Sequence, residues 1–331
     1  MSLVNTPYDD VFRTLLNDCS SLIIPLINEV FGERYTGKER VVFSQNEHFM
    51  NRQDGKEEER ITDTSFKIIA GAESKKYHWE CQSSTDSSML VRFFEYDTQL
   101  ALDEGEIKKN VLTVTLPHSA VLFLRCDSAT PDRMEIEIIT PGGTVSYGIP
   151  VMKSQQYSKE EIFEKGLLFL IPFYIFSYES RFKEYNEDGD KLKELQGEYR
   201  DIAERIEQLM NDGVISEYTK CTIMDMSDKV LVHIARRYEN VREGVKQVMG
   251  GRVLDYEAKR IKNEGIIVGR AEGRAEGREE GRAEGRAEGI VETGIDLGLS
   301  DKEILNRLQI KLNISLQVAQ EYFSKYRKQT V

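Results

Sequence analysis

The residues of this sequence best placed to do chemistry lie in the segment KKYHWECQSS, residues 75–84. If this segment is a β-strand, side-chain alternation places His78, Glu80 and Gln82 on one face and the intervening aromatic and thiol side chains on the other. The first face is polar and carries a carboxylate, whereas the second fits a protein core. The segment therefore predicts a strand with one chemical face and one packing face.

A second carboxylate, Asp63, is predicted to lie across from Glu80 on the preceding extended segment. A tight turn centred on Gly71 and Ala72 would pair position i with position 143 − i, and this register brings Asp63 opposite Glu80. Like charges that face each other across two strands are destabilising, so a purely structural hairpin has little reason to carry them. The pair therefore indicates a site that binds a cation.

Two facing carboxylates suit a hard divalent ion, because Mg²⁺ takes oxygen ligands and retains waters that can be deprotonated as nucleophiles. The predicted ligands are Asp63, Glu80 and the main-chain carbonyl of Cys81, with Mn²⁺ as an alternative ion. Gln82 is predicted to orient a water or a phosphate oxygen, but an amide cannot supply positive charge. Lys67, on the same strand face as Asp63, is the predicted source of that charge.

Two further side chains have alternative interpretations. Glu47, at the end of the first predicted strand, is either an additional acidic ligand or an exposed strand end. His78 is either a catalytic base or, as the simpler alternative, a hydrogen-bonded strand histidine. The spacing of two carboxylates alone also arises by chance, so the elements around them must support the site.

The composition limits the partners and the compartment. Lysine and arginine number 45 against 57 aspartates and glutamates, a formal net charge of −12, so contact with nucleic acid must be local or assisted by a metal ion. Four cysteines without a CxxC pair indicate neither a zinc knuckle nor a disulfide framework. The N-terminus lacks the apolar core of a signal peptide, and the longest apolar run, residues 167–176, is too short to span a bilayer. We expect a soluble cytoplasmic protein that does not enter a membrane.

Hydrophobic periodicity and turn residues predict the helices and strands around these residues. In chain order we predict a helix or helix pair over residues 8–31 with a bend or a helix break at Pro25 and a stop at Gly32, strands at 39–44, 61–69 and 75–82, a helix at 86–103, a strand at 119–126 and a hairpin at 134–151. The charged residues 51–60 are predicted to form a solvated loop, and helical patterns dominate after residue 158. The fold class is therefore α/β, with an αβββαβ core, a mixed central sheet and helical C-terminal regions.

Several of these motifs resemble those of a known superfamily. Asp63, sixteen further residues and then Glu80-Cys81-Gln82 resemble the D…(D/E)xK arrangement of PD-(D/E)xK nucleases. The αβββαβ order around these residues adds to the likeness.

More narrowly, the motifs YDDVFRTLL at 8–16, ECQ at 80–82 and RFFEY at 92–96, with a glycine-laddered tail, resemble the recombination-promoting nuclease / transposase family. Asp9 and Phe12 match its opening D-x-x-F element, with Arg13 where lysine is commoner. Arg92 and Tyr96 match its R-x-x-x-Y helix. The likeness covers about residues 8–180 well and the tail in style only.

The resemblance implies an endonuclease that hydrolyses DNA phosphodiester bonds with Mg²⁺ and is associated with recombination or mobile elements. It implies Asp63 and Glu80 as metal ligands and Gln82 in the place of the motif lysine. Because that lysine is replaced, a second interpretation stays open, in which a catalytically weak or inactive nuclease-like protein binds DNA and assembles. A purely structural oligomerisation protein is a third.

The chain divides into four predicted regions: a PD-(D/E)xK-like domain over 1–180, a helical region over 181–262, a four-residue Gly/Arg/Glu repeat over 263–298 and a small helical tail over 299–331. Glycines recur every four residues from Gly265 to Gly289, and like charges recur at the same spacing, so an isolated helix is disfavoured. Pairing of two copies would match the arginine and glutamate columns and predicts a homo-oligomer. A mobile tether is the equal alternative. Ser300 and Glu303 predict a capping box for a helix of the tail.

Overall fold

The computed structural model describes residues 7–43, 47–51, 57–61, 65–71, 73–83, 88–249, 285–312 and 316–327. The chain forms two compact units, Met1–Leu254 and Asp255–Val331. The first unit contains the sheet and all but three of the described helices. The predicted boundaries at residues 180, 262 and 298 stay predictions.

Two helices open the first unit, α1 (Pro7–Asp18) and α2 (Ile23–Phe31), with a 3-10 turn at Ser20–Leu22 between them. The break thus precedes Pro25, which lies in the first turn of α2, where the missing N–H of proline has no intrahelical partner to lose. Gly32 ends α2 as predicted, with a φ of +67° that a residue with a side chain rarely adopts.

The strands and the helix among them are, in chain order, β1 (Arg40–Phe43), β2 (Glu47–Asn51), β3 (Glu57–Ile61), β4 (Ser65–Ala70), β5 (Glu73–Gln82), α3 (Met89–Leu102), β6 (Glu106–Lys108), β7 (Val111–Thr113), β8 (His118–Phe123), β9 (Arg133–Thr140) and β10 (Gly143–Lys153). Six of them form one mixed sheet in the order β1-β4-β5-β8-β10-β9. Strands β1, β4 and β5 are antiparallel neighbours, β8 is parallel to both β5 and β10, and β9 pairs antiparallel with β10. The predicted α/β class with a mixed sheet is confirmed.

The remaining strands form two separate antiparallel pairs, β2 with β3 and β6 with β7. Strand β3 falls within the charged stretch that predicts a solvated loop, so that prediction is wrong for residues 57–60. The sequence EEER has low strand propensity, and its extended form follows from pairing with β2 rather than from local preference.

The register between β4 and β5 is the one that the turn residues predict. All six described pairs, from Ser65 opposite His78 to Ala70 opposite Glu73, obey the relation that pairs position i with 143 − i. Gly71 has a φ of +64°, which a residue without a Cβ adopts readily in a tight turn.

Helices complete the first unit: α4 (Lys159–Glu164), a 3-10 helix (Leu168–Arg181), α5 (Phe182–Glu187), α6 (Gly189–Asn211), α7 (Glu217–Ile234) and α8 (Glu239–Val248). The apolar run at 168–176 is buried along its whole length. It belongs to one continuous hydrophobic cluster with α1, α2, one face of the sheet and helices α4 to α8. No helix in the described part of the chain is long and apolar enough to cross a membrane.

The second unit contains three described helices, α9 (residues 285–296), α10 (Asp301–Leu312) and α11 (Leu316–Arg327). The predicted capping box is confirmed, because Ser300 Oγ accepts from the Glu303 amide and Glu303 Oε2 accepts from the Ser300 amide (3.4 and 2.9 Å). Of the glycine ladder, only Gly285 and Gly289 lie within the described residues, so the predicted pairing of two copies stays a prediction.

Candidate active site

Strand β5 lies near the middle of the six-stranded sheet, and its two faces differ as the alternation predicts. The apolar face belongs to the main hydrophobic cluster and consists of Tyr77, Trp79 and Cys81. On the opposite face His78, Glu80 and Gln82 contact one another through their side chains. The predicted separation into a packing face and a chemical face is therefore confirmed.

His78 is fully buried between two carboxylates. Its Nδ1 lies 2.7 Å from Asp97 Oδ1, and its Nε2 lies 3.2 Å from Glu80 Oε1. Burial alone would lower the pKa of His78, but the hydrogen bonds and charges of Asp97 and Glu80 outweigh burial and raise the pKa to about 9. His78 is thus hydrogen-bonded through both ring nitrogens, as the simpler interpretation predicts, and the alternative of a catalytic base stays a prediction.

Asp97 reaches His78 from α3, which packs over this face of the sheet. The side chain is fully buried, and its Oδ1 also accepts a hydrogen bond of 2.8 Å from Ser119 Oγ on β8. Ser119 and Ser65 are the pairing neighbours of His78 on the two adjacent strands. In the described structure Asp97 Oδ2 and Ser65 Oγ are buried without a hydrogen-bond partner.

Asp97 is not among the predicted site residues, although the sequence contains a signal for it. Asp97 follows Met89 by eight residues and Phe93 by four, so it continues the buried stripe of the helix that those two residues mark. An acidic residue on the apolar stripe of a helix must find a partner inside the protein, because an unpaired buried charge is costly.

Glu80 is the end of this polar chain that reaches solvent, with 18% of its side chain exposed. Burial alone would raise the pKa of the Glu80 carboxyl. The hydrogen bond and charge of His78 outweigh burial and, together with the positive charge of Arg92, lower the pKa below its ordinary value. Gln82 Nε2 donates a longer bond of 3.4 Å to Glu80 Oε2. The site therefore holds an ionised carboxylate at neutral pH.

The two chemical groups of Cys81 point to different places. The thiol lies in the hydrophobic cluster, and burial raises its pKa well above the ordinary value, so it is not a thiolate ligand. Gln82 O accepts a bond of 2.9 Å from the Leu124 amide of the chain beyond β8. Since successive residues of a strand direct their backbone groups to opposite neighbours, the Cys81 carbonyl is directed to the β4 side.

Helix α3 adds a cation and an aromatic ring. The Nε and Nη2 atoms of Arg92 are buried and have no hydrogen-bond partner in the described structure. The Tyr96 ring lies 5.9 Å from the His78 ring in an edge arrangement, and the Phe93 ring lies 5.1 Å from it. Arg92 and Tyr96 are the residues of the R-x-x-x-Y motif, and both lie on the part of α3 nearest His78 and Glu80.

Lys67 does not join this group. Its Nζ lies 2.9 Å from Glu104 Oε1, which also pairs with Lys76. Lys67 pairs across the strands with Lys76, four residues from Glu80, a separation of about 13 Å along the strand at about 3.3 Å per residue. The prediction that Lys67 lies beside Glu80 as its cation is therefore wrong. The cation that the structure brings near the Glu80 carboxylate is Arg92.

Of the two other predicted acidic ligands, Asp63 and Glu47, the structure describes only Glu47. Asp63 lies outside the described residues. Glu47 is the first residue of β2, opposite Ile61, in a two-stranded pair that is separate from the main sheet. Within the described ranges no group of three or more histidine, cysteine, aspartate or glutamate side chains is arranged to hold a metal ion.

Comparisons of the chain with protein-family profiles, with curated proteins and with solved structures find no match. The basis for a function is therefore the site itself. Its central features are an ionised Glu80 at the exposed end of a buried polar chain, a neighbouring amide from Gln82 and a nearby guanidinium from Arg92.

Proposed function

We propose that this chain is a Mg²⁺-dependent endonuclease that hydrolyses DNA phosphodiester bonds and is related to the recombination-promoting nuclease / transposase family of PD-(D/E)xK nucleases. The observation that carries the proposal is Glu80, an ionised carboxylate near the C-terminal end of a central strand, with Gln82 beside it. This is the place of the acidic residue and the motif lysine in the D…(D/E)xK arrangement.

The order of the elements supports the same proposal. Helices α1 and α2 precede three antiparallel neighbours, β1, β4 and β5, and α3 then leads to β8, which is parallel to β5. With the pairs β2–β3 and β6–β7 taken as insertions, this order agrees with the αβββαβ order that the family resemblance implies. The pair β2 and β3 is inserted between the first two strands of that core.

The oxygen donors near Glu80 are of the type that a hard divalent ion takes. Mg²⁺ and Mn²⁺ prefer oxygen ligands, and the groups available here are the Glu80 carboxylate and the Cys81 carbonyl on the β4 side. Both ring nitrogens of His78 are occupied by carboxylates, so the imidazole is not a ligand. We propose Asp63 as the remaining ligand, because the register that pairs residues 65–70 with 73–78 would bring position 63 opposite position 80 if it continued. When bound, such an ion supplies a more acidic water and neutralises phosphate charge.

The side chains near Glu80 would divide the other tasks. The Gln82 amide donates only a long bond to Glu80 and is the group that can exchange this bond for one to a phosphate oxygen. Arg92 offers buried donors without a partner, and a guanidinium suits the planar oxygens of a phosphate. We propose that Arg92, rather than Lys67, stabilises the charge that develops on the phosphate.

Plasmid cleavage in the presence of Mg²⁺ tests the proposal. We expect cleavage by the full chain, loss of cleavage with a chelator, and at least about a hundredfold loss in Asp63→Asn and in Glu80→Gln, the size of effect seen when a charge-stabilising group is removed. Glu104→Gln is the matched control, because it removes a carboxylate from the same domain at an exposed ion pair. Full activity of Asp63→Asn and Glu80→Gln would remove the site assignment.

One observation favours the alternative of a nuclease-like protein that binds DNA without cleaving it. Both oxygens of Glu80 already accept hydrogen bonds from side chains, so an ion must compete with His78 and Gln82. In that case DNA binding would be unaffected by Mg²⁺ and by Glu80→Gln, and no cleavage would be detected. Binding that is strengthened by Mg²⁺ together with cleavage supports the endonuclease.

We also propose that the glycine ladder mediates self-association of the chain. Sedimentation of the full chain and of a chain that ends at Leu254, the end of the first compact unit, measures this. The full chain is expected to form a dimer or larger assembly and the shortened chain to be a monomer. Equal masses for the two would favour the tether.

A further inference from the structure

Four side chains from three elements form a continuous line of hydrogen bonds. Ser119 Oγ on β8 donates to Asp97 Oδ1 on α3 (2.8 Å), the same oxygen lies 2.7 Å from His78 Nδ1 on β5, and His78 Nε2 lies 3.2 Å from Glu80 Oε1. Three of the four are buried, with 0% of the side chains of His78 and Asp97 exposed. Only Glu80 reaches the surface.

Joining a helix to a sheet through buried charged groups is unfavourable in free energy. Burying a charged pair costs free energy that apolar residues of similar volume would not cost, so stability alone does not explain the choice of groups. The neighbouring positions show the alternative, because Phe93 packs on the same face and makes no hydrogen bond through its ring. We therefore look for the role of these hydrogen bonds at Glu80, the exposed end of the line.

At that end the two carboxylate oxygens of Glu80 have different hydrogen-bond partners. Oε1 faces the His78 ring, whose orientation Asp97 fixes from the other side. Oε2 has only the 3.4 Å contact from Gln82, a flexible amide. A carboxylate held through one oxygen by a ring that cannot turn presents its other oxygen in one direction.

We propose that Asp97 and His78 are positioning residues that hold Glu80 through Oε1, so that Oε2 is presented to a divalent ion in a single orientation. This inference rests on the proposed metal-dependent function and adds to it two residues that touch neither the ion nor the substrate. Ser119 supports the line by fixing Asp97.

Two replacements of His78 separate its two contacts. In His78→Asn the amide reaches the place of Nδ1 and keeps the contact with Asp97, whereas in His78→Gln the longer amide reaches the place of Nε2 and keeps the contact with Glu80. The Mg²⁺ dissociation constant, measured by calorimetry, is expected to rise at least about tenfold in His78→Asn, as when the groups that orient a metal ligand are removed. In His78→Gln it is expected to stay within about threefold of the wild type, despite a lower melting temperature.

Asp97→Asn tests whether Asp97 affects Glu80 through His78, because Asp97 itself has no hydrogen bond to Glu80 in the described structure. We expect about a tenfold weaker Mg²⁺ affinity and, without any ion, a changed ¹³C resonance of the Glu80 side-chain carboxyl. Glu104→Gln makes the same chemical change at an exposed ion pair and is expected to change neither quantity. If Asp97→Asn does not fold, Ser119→Ala removes a single neutral donor from the line and is expected to weaken Mg²⁺ binding about two- to threefold.

Wild-type Mg²⁺ affinity in His78→Asn, or a Glu80 carboxyl resonance that is unchanged in folded Asp97→Asn or Ser119→Ala, would overturn the inference. Equal losses in His78→Asn and His78→Gln would do the same, since the contact with Glu80 would then not matter. A wild-type chain that binds no Mg²⁺, but whose Glu80 resonance still responds to Asp97→Asn, would refute the proposed function and leave the positioning of Glu80 standing.

Discussion

The two faces of β5 are made by alternate residues of one strand, but they are stabilised in different ways. The apolar face contributes Tyr77, Trp79 and Cys81 to a cluster that extends through most of the first unit. The polar face depends on a few pairs, in which His78 bonds to Asp97 and Glu80. On the apolar face the loss of one group is felt in proportion to the volume removed. On the polar face the loss of one group leaves its partners buried and unpaired.

The same strand therefore separates stability from chemistry. Residues on the apolar face can change the free energy of unfolding without reaching the carboxylate of Glu80. Residues on the polar face affect both the free energy of unfolding and the Glu80 carboxylate, because the groups that neutralise Glu80 are also buried. Four predictions test this separation, in order of decreasing effect.

The largest effect is expected on the apolar face. Trp79 is fully buried, so Trp79→Ala should lower the free energy of unfolding by about 3–5 kcal/mol. Trp79→Phe should cost less, about 1–2 kcal/mol, because the indole Nε1 has no hydrogen-bond partner in the described structure and a ring is retained. Urea unfolding measures both, and Mg²⁺ affinity should be unchanged in Trp79→Phe. Equal costs for the two variants would show that the N–H has an unrecognised partner.

The polar face should be recognised by its pH dependence. The pKa of His78 is raised from 6.5 to about 9 in the folded chain, so its stabilising contribution is fully present below pH 6.5 and is lost as the pH rises through about 9. At about 1.4 kcal/mol for each unit of pKa, the loss is on the order of 3 kcal/mol. Unfolding free energies measured from pH 6 to pH 9.5 should fall in the wild type and change much less in His78→Asn. A parallel fall in both would assign the effect to other groups.

Two serines on either side of His78 give a matched comparison. Ser119→Ala removes a hydrogen bond to a charged group and should cost about 1.5–3 kcal/mol. Ser65→Ala removes a buried hydroxyl that has no partner in the described structure and should be neutral or slightly stabilising. Thermal and urea unfolding of the two variants, side by side, measure the difference. A larger loss in Ser65→Ala would contradict the hydrogen-bond assignment on this face.

The smallest effect is expected at Lys67. Its partner Glu104 is about half exposed and also pairs with Lys76, so Lys67→Ala should cost less than about 1 kcal/mol. The DNA cleavage that we propose should be unchanged in Lys67→Ala and reduced in Arg92→Ala. A loss of cleavage in Lys67→Ala with unchanged Mg²⁺ affinity would restore Lys67 as the phosphate-stabilising cation.

Much of this arrangement could be predicted from local sequence. The alternation in β5 and the turn at Gly71 fix which side chains share a face and which residues pair with β4, and both are confirmed. Such features depend on residues a few positions apart, so a strand period of two and one glycine with positive φ are sufficient.

The remaining parts of the site depend on contacts that local patterns do not encode. Asp97 contacts His78 only because α3 packs over β5. Ser119 lies beside His78, within reach of Asp97, only because β8 pairs parallel to β5 in one register. Lys67 shares a strand face with the predicted site, but Glu104, far along the chain, binds it elsewhere. The extended form of β3 likewise depends on its partner strand, which its charged sequence does not indicate.

Helix α3 supplies Arg92, Tyr96 and Asp97 from one rigid segment, and this limits how the gene can vary. A helix turns by about 100° for each residue, so one residue inserted between Arg92 and Asp97 would rotate the carboxylate away from the imidazole while the guanidinium stayed in place. Relatives that keep this site should keep the number of residues between those two positions. Insertions and deletions should instead accumulate around β2 and β3, which lie outside the main sheet.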